Sequence, residues 1–152
     1  YGEISAGIRD IISATDLPVM VDTDTGYGDV KNVTHTIRGY EAMGVSSIFM
    51  EDQVSPKRCG HMQGKAVIPA DEMVRKIRAA AGARSSSDFY IVARTDARAV
   101  SGLDEALRRG EQYLEAGADG YLTKPIEASA LVRTVAHLSQ SGTDHSFPHF
   151  SK

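Results

Sequence analysis

The segment Glu51-Asp52-Gln53-Val54-Ser55-Pro56-Lys57-Arg58-Cys59-Gly60-His61 gathers two carboxylates, a lysine, the chain's single cysteine and a histidine behind one short apolar run. Carboxylates are ligands for hard divalent cations. A thiol whose neighbours carry positive charge has its thiolate stabilised, provided those groups lie near it in space, so Cys59 is a candidate proton carrier. A second acidic pair, Asp22 and Asp24, follows the run Leu17-Pro18-Val19-Met20-Val21. Two residues apart on an extended backbone, they face the same side. A third run, Phe89 to Ala93, ends in Arg94-Thr95-Asp96. The planar guanidinium of Arg94 suits a carboxylate partner better than an ammonium does. A lone strand-end aspartate is ordinarily a turn former or helix cap, but three runs that each end in charged residues point to a shared site.

The elements that must position these groups are strands alternating with helices. A first helix is expected over Glu3–Ser13 with Ile4, Ile8, Ile11 and Ile12 on one face. A strand follows at Pro18–Asp22, then a turn at Gly26 and Gly28. Asp29 caps a helix reaching about Met43 that buries Val30, Val33 and Ile37, and Gly44 ends it. The strand Ser46–Glu51 leads into the Cys59 loop. Pro69 or Asp71 opens a helix containing Met73, Val74 and Ile77. Strand Phe89–Arg94, a loop, a helix over Leu103–Ala116, strand Gly120–Thr123 and a last helix from Ala128 to about Ser139 complete the pattern. This is an α/β chain with a parallel sheet of about four βα units. In such sheets ligands bind beyond the carboxyl ends of the strands, where all three charged clusters fall.

The 152 residues suit one α/β domain, taken as 1–139, with residues 140–152 expected to be a disordered tail. The net charge of −3 and the lack of a basic run argue against a nucleic-acid partner. No apolar stretch suffices to span a membrane. A single cysteine fits a reducing, cytoplasmic setting. The chain begins without a Met or a signal-peptide pattern, which suggests trimming from something longer. His35, His137, His145 and His149 lack ligand spacing and are assigned to the surface or tail; Arg98, Arg108 and Arg109 are assigned to a solvated helix face.

Val21-Asp22-Thr23-Asp24-Thr25-Gly26-Tyr27-Gly28, Glu51-Asp52-Gln53, Lys57-Arg58-Cys59-Gly60-His61 and Ala93-Arg94-Thr95-Asp96-Ala97, in that order, resemble the isocitrate lyase/phosphoenolpyruvate mutase superfamily over about residues 3–119. The methylisocitrate lyase-like and carboxyphosphonoenolpyruvate phosphonomutase-like branches are the most similar. The resemblance implies a (β/α)8 barrel that binds Mg2+ and a small 2-hydroxy or 2-oxo carboxylic acid, isocitrate- or methylisocitrate-like, and cleaves or forms a carbon–carbon bond (or a phosphorus–carbon bond) through an enolate-like intermediate. It implies Asp22 as a metal ligand, with Asp24 and Glu51 holding metal-bound waters. Arg94 would pair with a substrate carboxylate, helped by the backbone of Gly60 and His61. Cys59 would carry the proton, with Lys57 and His61 assisting.

Two features depart from that pattern. Only four strands are expected where the barrel has eight, so the fold is half of a barrel or a rearranged flavodoxin-like sheet. Its open edges favour self-association into a homo-oligomer. The family's acid at the end of the sixth strand is replaced by Tyr121-Leu122-Thr123-Lys124-Pro125-Ile126-Glu127. Residues 110–138 instead resemble the final unit of a response-regulator receiver domain, which implies a possible chimera. Besides the lyase, two alternatives stand: a catalytically inactive fragment or chimera, and a phosphoacceptor module using Asp22, Asp24 and Lys124, with Asp52 or Glu51 as a forced acceptor.

Overall fold

The computed structural model describes residues 2–58 and 64–123. Cys59, Gly60, His61, the Lys124-Pro125 pair, Glu127, the expected last helix and the tail lie outside the described residues. The elements are α1 (Gly2–Ser13), β1 (Met20–Asp22), α2 (Val30–Ala42), β2 (Ser47–Glu51), α3 (Ala70–Ala83), β3 (Tyr90–Thr95), α4 (Ala97–Ser101), α5 (Leu103–Glu115) and β4 (Gly120–Thr123).

Local chemistry accounts for the boundaries. The Asp29 side chain accepts from the amides of Lys31 and Asn32 and so caps α2. Val33, Ile37 and Tyr40 recur at the helical period and are all buried. In α3, Met73, Ile77 and Ala80 do the same. The central strands β2 and β3 are buried on both faces over most of their length, as parallel strands are. The short helix α4 was expected to be a loop. Five residues are too few for a periodic signal to show.

The four strands are parallel and run in sequence order, β1-β2-β3-β4. A flavodoxin-like sheet would place β1 between its second and third strands. The faces agree with the strand order. Ile48, Met50, Ile91 and Ala93 join one core with Val33, Ile37 and Tyr40 of α2, Met73 and Ile77 of α3, and Tyr113 of α5. The other face carries a small cluster made of strand residues alone, Val92 and Leu122 with Met20, Phe49 and Tyr90. Helices on one face and a strand-only layer on the other make an arc of a (β/α)8 barrel.

Three burial expectations fail. Ile4 and Ile11 of α1 and Val30 of α2 are exposed, while only Ile8 of the α1 stripe is fully buried. Arg109, expected in solvent, is 7% exposed, for a reason that lies in the site's foundation.

Candidate active site

Strand alternation sorts the charged residues. Phe49 and Val92 lie on the strand-only face, so Glu51 and Arg94, two residues further along each strand, lie there too. They are register partners, and Arg94 Nη2 stands 2.5 Å from Glu51 Oε2. The same Nη2 reaches Asp96 Oδ2 at 3.0 Å. Asp22 ends β1 on that face, in register with Phe49.

The loop after β1 is bent tightly. Asp22 Oδ1 accepts the Asp24 amide at 2.8 Å, and Asp24 has φ 49°. Aspartate tolerates this left-handed conformation because its short side chain bonds locally. Asp22 and Asp24 therefore share a site through a turn, and the extended alternation expected of them stops at Asp22. Tyr27, at φ 59°, is a less tolerant residue in the same region; its hydroxyl donates to the Asp22 carbonyl at 3.3 Å and accepts from Tyr40 at 3.2 Å. Gly26 has φ 85°, and a Cβ there would stand 2.6 Å from Val33 and 2.7 Å from Met50. From α3, the buried Lys76 donates to the Thr25 carbonyl at 3.1 Å. Burial pushes its pKa down.

Lys57 forms an ion pair with Asp24. Partial burial works against its charge, yet the bond to Asp24 and the fields of Glu51 and Asp22 outweigh this and hold its pKa above the usual lysine value. A cleft of about 710 Å³ opens beside this pair, lined among others by Tyr27, Gln53, Glu72 and Lys76. Burial raises the Glu51 carboxyl, against the pull of Arg94 and Lys57, and repulsion from Asp96 and Asp22 adds to the rise. Glu51 Oε1 and Oε2 and Arg94 Nε are buried without a hydrogen-bond partner.

Asp52 behaves differently. One residue beyond Glu51, it lies on the helix side. There it accepts from Thr95 Oγ1 (2.7 Å), the Asp96 amide (2.9 Å), Arg109 Nη1 (3.1 Å) and Tyr113 Oη (2.7 Å). Arg109 also bonds the Ile68 carbonyl and Glu105, which explains its burial. Asp52 is thus a structural acid. The acid pair read from the sequence splits into one member for the site and one for its foundation. The fully buried, four-bonded Asp52 also removes that residue as a phosphoacceptor.

Sequence reasoning missed Gln53 and Lys65 as members of the site and gave Asp96 no partners. Gln53 Nε2 donates to Asp96 Oδ2 at 3.3 Å, and Lys65 Nζ to Asp96 Oδ1 at 3.1 Å. No periodicity marks Lys65, because it lies in a loop. Arg94 lies near the end of β3 on the strand-only face, buried and already paired with two carboxylates.

Among the described residues, no three His, Cys, Asp or Glu side chains are gathered closely enough to hold a metal on their own. The donor set still suits Mg2+, which keeps several waters and takes only one or two carboxylates directly. The buried Glu51 Oε1, which has no partner, is an acceptor for such a water.

The phosphoenolpyruvate phosphomutase family model matches residues 2–142, a span that includes the receiver-like 110–138 unit. The chain is 52% identical over 117 residues to a 2,3-dimethylmalate lyase of Eubacterium barkeri, covering 77% of this chain and 40% of that protein. It is 52% identical over 109 residues to a 2-methylisocitrate lyase of Shewanella oneidensis, covering 72% of this chain and 37% of that one. A crystal structure of 2,3-dimethylmalate lyase superposes with TM-score 0.78 at 35% identity, covering 93% of this chain and 48% of that chain. A phosphonopyruvate hydrolase complexed with oxalate and Mg2+ superposes with TM-score 0.71 at 33% identity, covering 92% and 48%. The chain spans less than half the length of these relatives. The motifs at three strand ends, the one-sided sheet and these matches agree: the chain belongs to the phosphoenolpyruvate phosphomutase (PEP mutase/isocitrate lyase) family.

Proposed function

We propose that this chain carries the metal- and carboxylate-binding half of a Mg2+-dependent carbon–carbon lyase acting on a small 2-hydroxy or 2-oxo carboxylic acid of the isocitrate or methylisocitrate type. The observation that carries the reading is Glu51, a buried carboxylate whose Oε2 meets only Arg94 and whose Oε1 has no partner, facing the fields of Asp22 and Lys57. A buried carboxylate oxygen without a donor is destabilising on its own, and a metal-bound water would supply the donor it lacks.

In this reading Asp22 binds the metal, and Asp24 and Glu51 hold its waters. Bound Mg2+ would supply positive charge opposite the oxygen on which negative charge develops. Arg94 orients a substrate carboxylate. Cys59, assisted by Lys57 and His61, gives its thiol proton to the carbon freed by bond cleavage, while the backbone of Gly60 and His61 contacts a carboxylate. The relatives named as lyases and the oxalate and Mg2+ of the hydrolase complex support the substrate class and metal. A cytoplasmic location and self-association through the edges of β1 and β4 belong to the same reading.

The test is calorimetric titration with Mg2+ and oxalate, followed by an assay for 2-oxo acid release. Oxalate binding that requires Mg2+, and turnover lost in Cys59→Ser, are expected. No binding in either condition overturns the reading. One observation favours an inactive fragment instead: Arg94 is 4% exposed and held between Glu51 and Asp96. Oxalate binding without turnover would select it.

A further inference from the structure

Asp96 stands where a helix cap stands but does not cap. It occupies the N-cap position of α4, yet no amide of that helix bonds its side chain. Its carboxylate, fully buried, is used elsewhere. Oδ1 accepts from Lys65 at 3.1 Å; Oδ2 accepts from Arg94 at 3.0 Å and from Gln53 at 3.3 Å. Gln53 in turn accepts the Arg58 amide on Oε1 at 3.1 Å.

These partners belong to both arms of the segment between β2 and α3. Arg58 lies on the outgoing arm and Lys65 on the returning one. Backbone bonds from Val54 to Ala66 and from Ile68 to Asp52, with an antiparallel bridge between Gln53 and Val67, hold the arms together at their base. The charges close as well. Glu51 and Asp96 are matched by Arg94 and Lys65, and the Lys65–Asp96 pair is almost wholly buried, with side chains 9% and 0% exposed. The attraction of Lys65 and Arg94 keeps Asp96 ionised in spite of burial, below the usual carboxylate range. A surface cap would need none of this desolvation, so the arrangement favours position over simple helix stability.

We propose that Asp96 is a positioning residue that fastens the two arms, residues 54–58 and 64–66, to Arg94, so that their base and the guanidinium hold their places together. Its meaning for turnover rests on the lyase reading, in which that segment bears Cys59 and Arg94 meets the substrate. Coupling of this kind is reciprocal: whatever draws Arg94 from Asp96 loosens the base, and a loosened base frees Arg94.

Amide hydrogen exchange on the ligand-free protein tests the fastening. In Asp96→Asn and in Lys65→Met, the amides of Val54 and Arg58 should exchange at least about tenfold faster, while the β2–β3 ladder amides keep their wild-type rates. Unchanged Val54 and Arg58 rates overturn the proposal, and so does equal acceleration of the ladder, which marks a merely structural role. If Asp96→Asn does not fold, Lys65→Met decides alone, since it leaves Asp96 and Arg94 paired. Oxalate titration with Mg2+ separates the two readings. Failure of the wild-type protein to bind oxalate removes the lyase reading, while the exchange rates still decide the fastening.

Discussion

Glu51 and Asp52 are adjacent carboxylates at the end of one strand, and both are fully buried, yet their surroundings are opposite. Asp52 receives four hydrogen bonds, from two side-chain hydroxyls, an amide and a guanidinium. Glu51 meets only Arg94, through Oε2, and its Oε1 has no partner. Strand alternation sends one to the helix side, where Arg109 and Tyr113 wait, and the other to the inner face. An acid that is fully bonded holds a fold together. An acid that is buried with one oxygen left unpartnered calls for an explanation, and a bound water or ion is one. The pair therefore separates foundation from site within two residues.

The comparison breaks most visibly at Asp52. Asp52→Ala leaves Arg109 buried without that partner and should lower stability by about 3–5 kcal/mol in urea unfolding. A loss below about 1 kcal/mol would mean that Asp52 is no foundation. Tyr113→Phe removes one donor from the same carboxylate and should cost about 1–3 kcal/mol, with the unfolding slope unchanged.

At the outer end of that network, hydrogen bonds from Arg108 and Arg109 lower the Glu105 carboxyl from its ordinary 4.5 to about 2. A depressed folded-state pKa contributes stability that is present above pH 4.5 and lost as pH falls toward 2. Glu105 and Arg108 reach solvent, so screening limits the loss to about 1 kcal/mol. Urea midpoints at pH 5 and pH 3 should fall further apart in the wild type than in Glu105→Gln. Equal separation would exclude Glu105 from the network.

Glu51→Gln should change stability least, within about 1 kcal/mol, because burial already disfavours the Glu51 charge, the amide oxygen can still face Arg94, and Arg94 keeps Asp96 as its ion-pair partner. The same variant should lose Mg2+-dependent oxalate binding by about tenfold or more. A large loss of stability with unchanged binding would make Glu51 a second Asp52 and end the contrast.

Much of the frame was readable from the residues. The alternation of apolar runs with helical periods located the four strands and the helices between them, and Asp29 announced its own capping role. The placement of Asp22, Glu51 and Arg94 at strand ends followed from the strands alone; the pairing of Lys57 with Asp24 did not. The α1 stripe misled, because periodicity reports a face without saying what covers it; Ile4 and Ile11 are exposed among the described residues. Asp24 shares a turn with Asp22, where a straight strand was expected, because the strand stops at Asp22.

The sequence by itself determined the four strands, the helices other than α4, their order and which residues stand at the strand ends, since propensity, period and turn chemistry act within a few residues. The tertiary structure decided which charges are bonded and which are left over. Arg109 lies one helical turn from both Ala106 and Tyr113, on the face that packs inward. Its charge argued for solvent until Asp52, 57 positions away in the chain, came within 3.1 Å. A buried charge is stable only beside its partner, and that partner is set by how helix and sheet pack. For the same reason the fold gives Asp52 four donors and leaves Glu51 with Arg94 alone.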